Sequence, residues 1–126
     1  MSDEARERAR RLAEAARDRN AENVVALEVG RLTSFADAFV LATAGSDRQA
    51  RAVADAVTEA MQQAGSKPLG VEGYEEGRWI LIDGGDVIVH VFVREAREHY
   101  DLDRLWGDAP KIPLPEPAAV ARGVRR

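Results

Sequence analysis

Residues 38–44, Ala-Phe-Val-Leu-Ala-Thr-Ala, constrain the fold more than any other stretch of this chain. Seven residues with no charge and a single hydroxyl do not alternate between a dry face and a wet one. Such a run reads as a strand buried on both sides, in the middle of a sheet with a layer packed on each face. Gly45-Ser46 ends it. Ser46-Asp47-Arg48-Gln49 is then a capping box, with Ser46 as N-cap and Gln49 three residues on. The helix it opens carries Ala50, Val53, Ala54, Val57, Met61 and Ala64 on one face, and Gly65 closes it. A helix that crosses between strands requires a mixed sheet rather than a purely antiparallel one.

The remaining elements fit around that unit. Ala5, Ala9, Leu12, Ala13 and Ala16 form one apolar stripe on a helix over 3–19, capped by Ser2. Val24 to Val29 is a β-branched-rich strand, and Gly30 to Asp37 a connection. Leu69 to Glu72 is a short strand after Pro68, followed by a Glu-rich turn from Gly73 to Gly77. Arg78–Asp83 and Asp86–Val93 form a hairpin around Gly84-Gly85. Arg94 to Tyr100 is helical, and Asp101 is placed to cap a last short helix bearing Leu102, Leu105 and Trp106. The fold expected is α/β, a mixed five-stranded sheet flanked by helices. One domain spans 1–109. The segment 110–126, with Pro110, Pro113, Pro115 and Pro117, is expected to be an extended, disordered tail.

At 126 residues there is room for one core. The chain has no cysteine, which removes disulfide scaffolds, thiolate catalysis and Cys-based zinc sites. No signal peptide or membrane span is expected at the N-terminus, and the expected location is the cytoplasm. The net charge of −4 argues against a general nucleic-acid binder. That total is unevenly spread. Residues 1–71 carry 10 basic and 11 acidic side chains, 72–108 carry 4 and 10, and 109–126 carry 4 and 1. The acidity therefore sits in the second half of the body, either as a solvated face or as a surface that steers toward a basic partner.

Catalytic chemistry finds little to stand on. His90 and His99 are the only histidines, with no neighbouring Cys and no two-His helical pair, so no metal site is expected. A histidine so placed is more often the satisfied partner of a nearby carboxylate. Gly45-Ser46 resembles a phosphate-cradling turn, but no P-loop Lys follows. Nucleotidyl transfer needs metal-binding carboxylates two apart on an adjacent strand. Asp83 and Asp86 are three apart and flank a turn. No catalytic residue and no cofactor are therefore expected.

The hairpin predicts a face instead. If Asp83 faces Asp86, Ile80 meets Val89 and Ile82 meets Val87 on a uniformly aliphatic side. Trp79 then meets His90 and Leu81 meets Ile88 on the other side. This second side lies under a helix or forms a contact surface of large amphipathic rings. Tyr100, Leu102, Leu105 and Trp106, interleaved with Glu98, Asp101 and Asp103, suit either a hot spot in an acidic surround or a cap on the core.

Several of these stretches resemble one family in order and spacing. Thr33-Ser34-Phe35-Ala36-Asp37-Ala38-Phe39-Val40 and Gly45-Ser46-Asp47-Arg48-Gln49 resemble the first half of the ribosomal silencing factor, or Iojap-like, family. Val71-Glu72-Gly73-Tyr74, Gly77 to Asp83 and Gly85 to Phe92 resemble its second half, and Tyr100 to Ala109 its C-terminal segment. The resemblance covers about residues 4–110 and leaves the tail outside. It implies a nucleotidyltransferase-like fold without transferase activity. It also implies binding to the large ribosomal subunit through large-subunit protein fourteen, hindered subunit joining, translational repression, and homodimers in some members. Tyr74, Trp79, Leu81, His90, Tyr100, Leu102 and Trp106 are the motif positions that suit the partner-binding patch. Gly84 and Arg94 depart from the bulkier and less basic residues expected there. The competing expectations are a nucleotide-binding or nucleotidyl-transferring enzyme on the same fold, and a homodimer that pairs through the same patch.

Overall fold

The computed structural model describes residues 2–115. Its elements are α1 (Asp3–Asp18), β1 (Glu22–Glu28), β2 (Ala38–Ala44), α2 (Asp47–Gln63), β3 (Gly70–Glu72), β4 (Trp79–Asp83), β5 (Val87–Val93), α3 (Arg94–Tyr100), α4 (Leu102–Leu105) and β6 (Lys111–Ile112). The strands form one mixed sheet in the order β3-β4-β5-β2-β1-β6. Only β2 and β5 pair in parallel, joined through the α2 crossover and the β3–β4 meander.

β2 is central and buried along its whole length. Val40 and Ala42 face one core with Leu12 of α1, Val53 and Val57 of α2, and Ile80, Ile82, Val89 and Val91 of the hairpin. Phe39 and Leu41 face a second core with Leu27, Ile88, Phe92, Ala96 and Leu102. The doubly apolar run thus sits between two layers, α1 and α2 on one face and the short α3 and α4 on the other.

Ser46 caps α2 as expected, but Gln49 reaches back to the N–H of Gly45 rather than to that of Ser46, and its contacts extend beyond a local cap. Ser46 Oγ accepts the Gln49 N–H at 3.1 Å, and Gln49 Oε1 accepts the Gly45 N–H at 2.6 Å. Gln49 Nε2 donates to the carbonyls of Arg19 and Asn20, tying the end of α1 to the start of α2. Asp101 makes no side-chain cap on α4. It sits in the left-handed region, φ 50°, as the joint between α3 and α4.

Two further expectations are corrected. The sheet has six strands rather than five, because residues 110–112 of the expected tail add to the free edge of β1. Lys111 and Ile112 pair with Leu27 and Ala26, Pro110 O accepts the Glu28 N–H, and Ile112 is 2% exposed. Arg10 and Arg17 of α1 donate to the carbonyls of Pro113 and Pro115. Proline is tolerated there because an edge position needs no inward N–H. Residues 116–126 of that tail lie outside the described residues.

The hairpin register is also displaced by two residues: Ile80 faces Val91, Leu81 faces His90 and Ile82 faces Val89. The turn is Gly85-Asp86, closed by Gly84 N–H to Val87 O at 2.9 Å, and only Gly85 has positive φ. A glycine at the first central position is what a II′ turn requires. Gly84 serves another purpose, because a Cβ there would lie 2.8 Å from Val87 O and 2.9 Å from Met61 Cε. A shift of two preserves the alternation, so Trp79 and Leu81 still share a face with His90.

Candidate functional site: an aromatic face of the sheet

The face away from α1 and α2 carries Leu81, His90 and Leu41 in one cross-strand row, and Trp79, Phe92 and Thr43 in the next. α3 covers only part of it. Ala96 packs into the second core, and Arg97 donates to Thr43 Oγ1 at 2.8 Å. What remains is a strip of rings. Tyr100 lies 4.5 Å from Trp79 between centroids, Trp79 stacks on Phe92 at 5.1 Å, and His90 meets Phe39 edge-on at 4.8 Å. Phe39 meets Trp106 edge-on at 5.1 Å and lies 6.1 Å from Phe35. Trp79, Leu81 and Trp106 are half-buried, while Tyr100 is 48% and Phe35 61% exposed. Edge-to-face and offset pairs of this kind hold rings at fixed angles, so the strip is a rigid, amphipathic surface.

Four of the expected partner-binding residues, Trp79, Leu81, Tyr100 and Trp106, therefore come together at the surface. His90 joins them as the floor, 5% exposed, and Leu102 is the buried residue of α4, packed into the second core. Tyr74 does not join them. The Gly73–Gly77 turn folds back onto α2, where Arg51 donates to Glu75 O and the Tyr74 hydroxyl donates to Asp55 at 2.9 Å. Asp55 belongs to the helix layer on the opposite face. That hydrogen bond to a carboxylate, aided by desolvation, raises the Tyr74 phenol above its usual value. Phe35 and Phe39 belong to the strip and were not expected. Phe39 was legible as one face of the apolar strand, whereas Phe35 lies in an irregular connection with no period to read.

His90 is paired differently from the expectation of a carboxylate partner. Its Nδ1 accepts the Trp79 indole N–H at 3.1 Å. An accepting Nδ1 puts the proton of the neutral imidazole on Nε2. That nitrogen is buried with no hydrogen-bond partner. Stranding such a donor costs about 1–3 kcal/mol. Burial pushes the imidazole pKa down to about 4, so the ring is neutral near pH 7.

Charge around the strip is acidic with local neutralisation. Arg97 pairs with Asp103 at 2.9 Å, and its guanidinium holds the Asp103 carboxyl below the usual range. Arg94, the basic departure noted in the sequence, pairs with Glu22 through contacts of 2.9–3.1 Å. Among the described residues, Glu72, Glu98 and Asp101 make no salt bridge, and neither do Arg78 and Arg104, so the rim carries both signs, with the acidic excess of residues 72–108. Among the same residues no group of three or more His, Cys, Asp or Glu is placed to hold a metal ion, and no helix is long and apolar enough to cross a membrane.

Comparison with known proteins places this geometry. The family model described as "Ribosomal silencing factor during starvation" matches residues 2–125, so the match extends into the tail that the motif resemblance left out. A ribosomal silencing factor RsfS from Halalkalibacterium halodurans is 43% identical over 97 residues, covering 77% of this chain and 83% of that protein. Its counterpart in Bacillus subtilis is 40% identical, covering 77% and 82%. The chloroplastic protein Iojap of Zea mays is 34% identical over 107 residues, covering 82% of this chain and 45% of that protein. A crystal structure of a Chromobacterium violaceum protein superposes with a TM-score of 0.79 at 36% identity, covering 85% of this chain and 88% of that one.

Proposed function

Because this chain belongs to the ribosomal silencing factor family, we propose that it represses translation by binding, not by catalysis. It docks on the large ribosomal subunit through large-subunit protein fourteen and hinders joining of the small subunit. The observation that carries this reading is the half-open aromatic strip. Trp79, Leu81, Tyr100 and Trp106 offer rigid anchors of the type that dominates protein–protein interfaces. His90 and Leu102 act beneath them as support.

The acidic rim fits a protein partner that is itself basic because it sits on RNA. The same charge repels neighbouring phosphate, which sharpens the choice of protein over rRNA. A repressor of this kind works in the cytoplasm. Self-pairing through the strip would compete with the ribosome for it. Co-sedimentation tests the reading directly: the protein pellets with isolated large subunits and not with small subunits. Failure to pellet with large subunits at saturating protein contradicts it.

A further inference from the structure

His90 is the one polar side chain on β5, whose sequence is Val-Ile-Val-His-Val-Phe-Val. It is enclosed by Trp79 and Leu81 of β4, Phe39 and Leu41 of β2, and Phe92 of its own strand. Packing alone gives no reason for a nitrogen in such a place. Val, Ile or Leu fills it without stranding a donor. What His90 supplies, and they lack, is an acceptor. Its Nδ1 takes the Trp79 indole N–H, while the other contacts of that indole, with Phe92 and Tyr100, are ring-on-ring and non-directional. Trp79 is also the half-buried ring between the floor of the strip and its exposed edge.

We propose that His90 is a positioning residue for docking: through Nδ1 it fixes the Trp79 indole in the orientation that meets the partner, without touching the partner itself. This role rests on the Trp79 face being the docking surface. The unpaired Nε2–H is then the consequence of holding the one tautomer that accepts from Trp79.

Nitrogen-15 spectroscopy of the wild-type protein at pH 7 checks the tautomer. His90 carries its proton on Nε2; a proton on Nδ1 overturns the role without recourse to any variant. His90→Leu shifts the Trp79 indole N–H resonance and leaves that of Trp106 in place. It weakens binding to isolated large subunits about tenfold, as loss of one interface-ordering hydrogen bond would. His90→Asn, whose Oδ1 lies near the Nδ1 position, restores the resonance and holds affinity within about threefold of wild type. A folded His90→Leu protein with an unmoved Trp79 resonance, or with wild-type affinity, overturns the proposal. Trp79→Ala in the same assay separates the two failures. If it binds normally, the docking face itself is misplaced; if it binds weakly while His90→Leu does not, only the role of His90 falls.

Discussion

Trp79 and His90 carry most of what this face offers at the scale of single residues. Trp79→Ala is expected to weaken binding to large subunits by about 2 kcal/mol, the loss typical of a central aromatic anchor. Tyr74→Ala, on the opposite face, should leave affinity within about 0.5 kcal/mol, and titration of both variants against large subunits checks the contrast. His90 also sets a pH dependence of stability. Its folded pKa, about 4, lies below the unfolded value of 6.5, so the unfolded chain binds more protons between these limits. Stability therefore falls as pH drops from about 6.5 toward 4. The His90 share of the loss is about 3 kcal/mol. Denaturant titrations at pH 7 and pH 4.5 check it against His90→Asn, which should flatten this part of the profile. Asp103 acts lower: its depressed carboxyl contributes stability above its unfolded pKa, and this is lost as pH falls through the folded value. The partnership of Trp79 with His90 was half legible in the sequence. Alternation placed both on one face, but the acceptor atom and the two-residue register shift depend on where the turn closes. Tyr74 was illegible because its neighbour, Asp55, is 19 residues away on another element.

At the scale of elements, legibility followed periodicity. α1, α2 and the hairpin each carry a clear period, β2 was read instead from its short length and the Gly45 that ends it, and each formed within a residue or two of its expected bounds. β6 has two residues, flanked by prolines, and no period at all. Its pairing arises from the free edge of β1 and the carbonyl-seeking arginines of α1. Ile112 makes the difference measurable. It packs into the core shared with α1 and α2, so Ile112→Ala should destabilise the protein by about 2–4 kcal/mol. A disordered tail would predict no change in the denaturation midpoint. The hairpin turn teaches a related lesson. Gly84-Gly85 offered two candidate centres, and close approach of Val87 O and Met61 to Gly84 selects the one at Gly85-Asp86.

The whole molecule divides its work between its two sheet faces. α1 and α2 cover most of one face, joined by the Gln49 clasp. The short α3 and α4 leave the other face partly open, and its rings are angled by mutual contact and rimmed with carboxylates. The net charge of −4 is the sum of unlike parts; Glu72, Glu98, Asp101 and Asp103 of the acidic part lie beside the aromatic strip, while Glu75 and Glu76 lie in the turn that folds onto α2. On the proposed function, such a surface would meet a basic protein on an RNA-rich particle and be repelled by the RNA phosphate around it. On the proposed function, occupation of this surface keeps ribosomal subunits apart. The most direct measurement mixes large subunits, small subunits and the protein, and follows joined ribosomes by sedimentation. Saturating wild-type protein should suppress the joined peak, and Trp79→Ala should restore it at equal concentration. Undiminished joining in the presence of saturating wild-type protein would rule out repression by this surface.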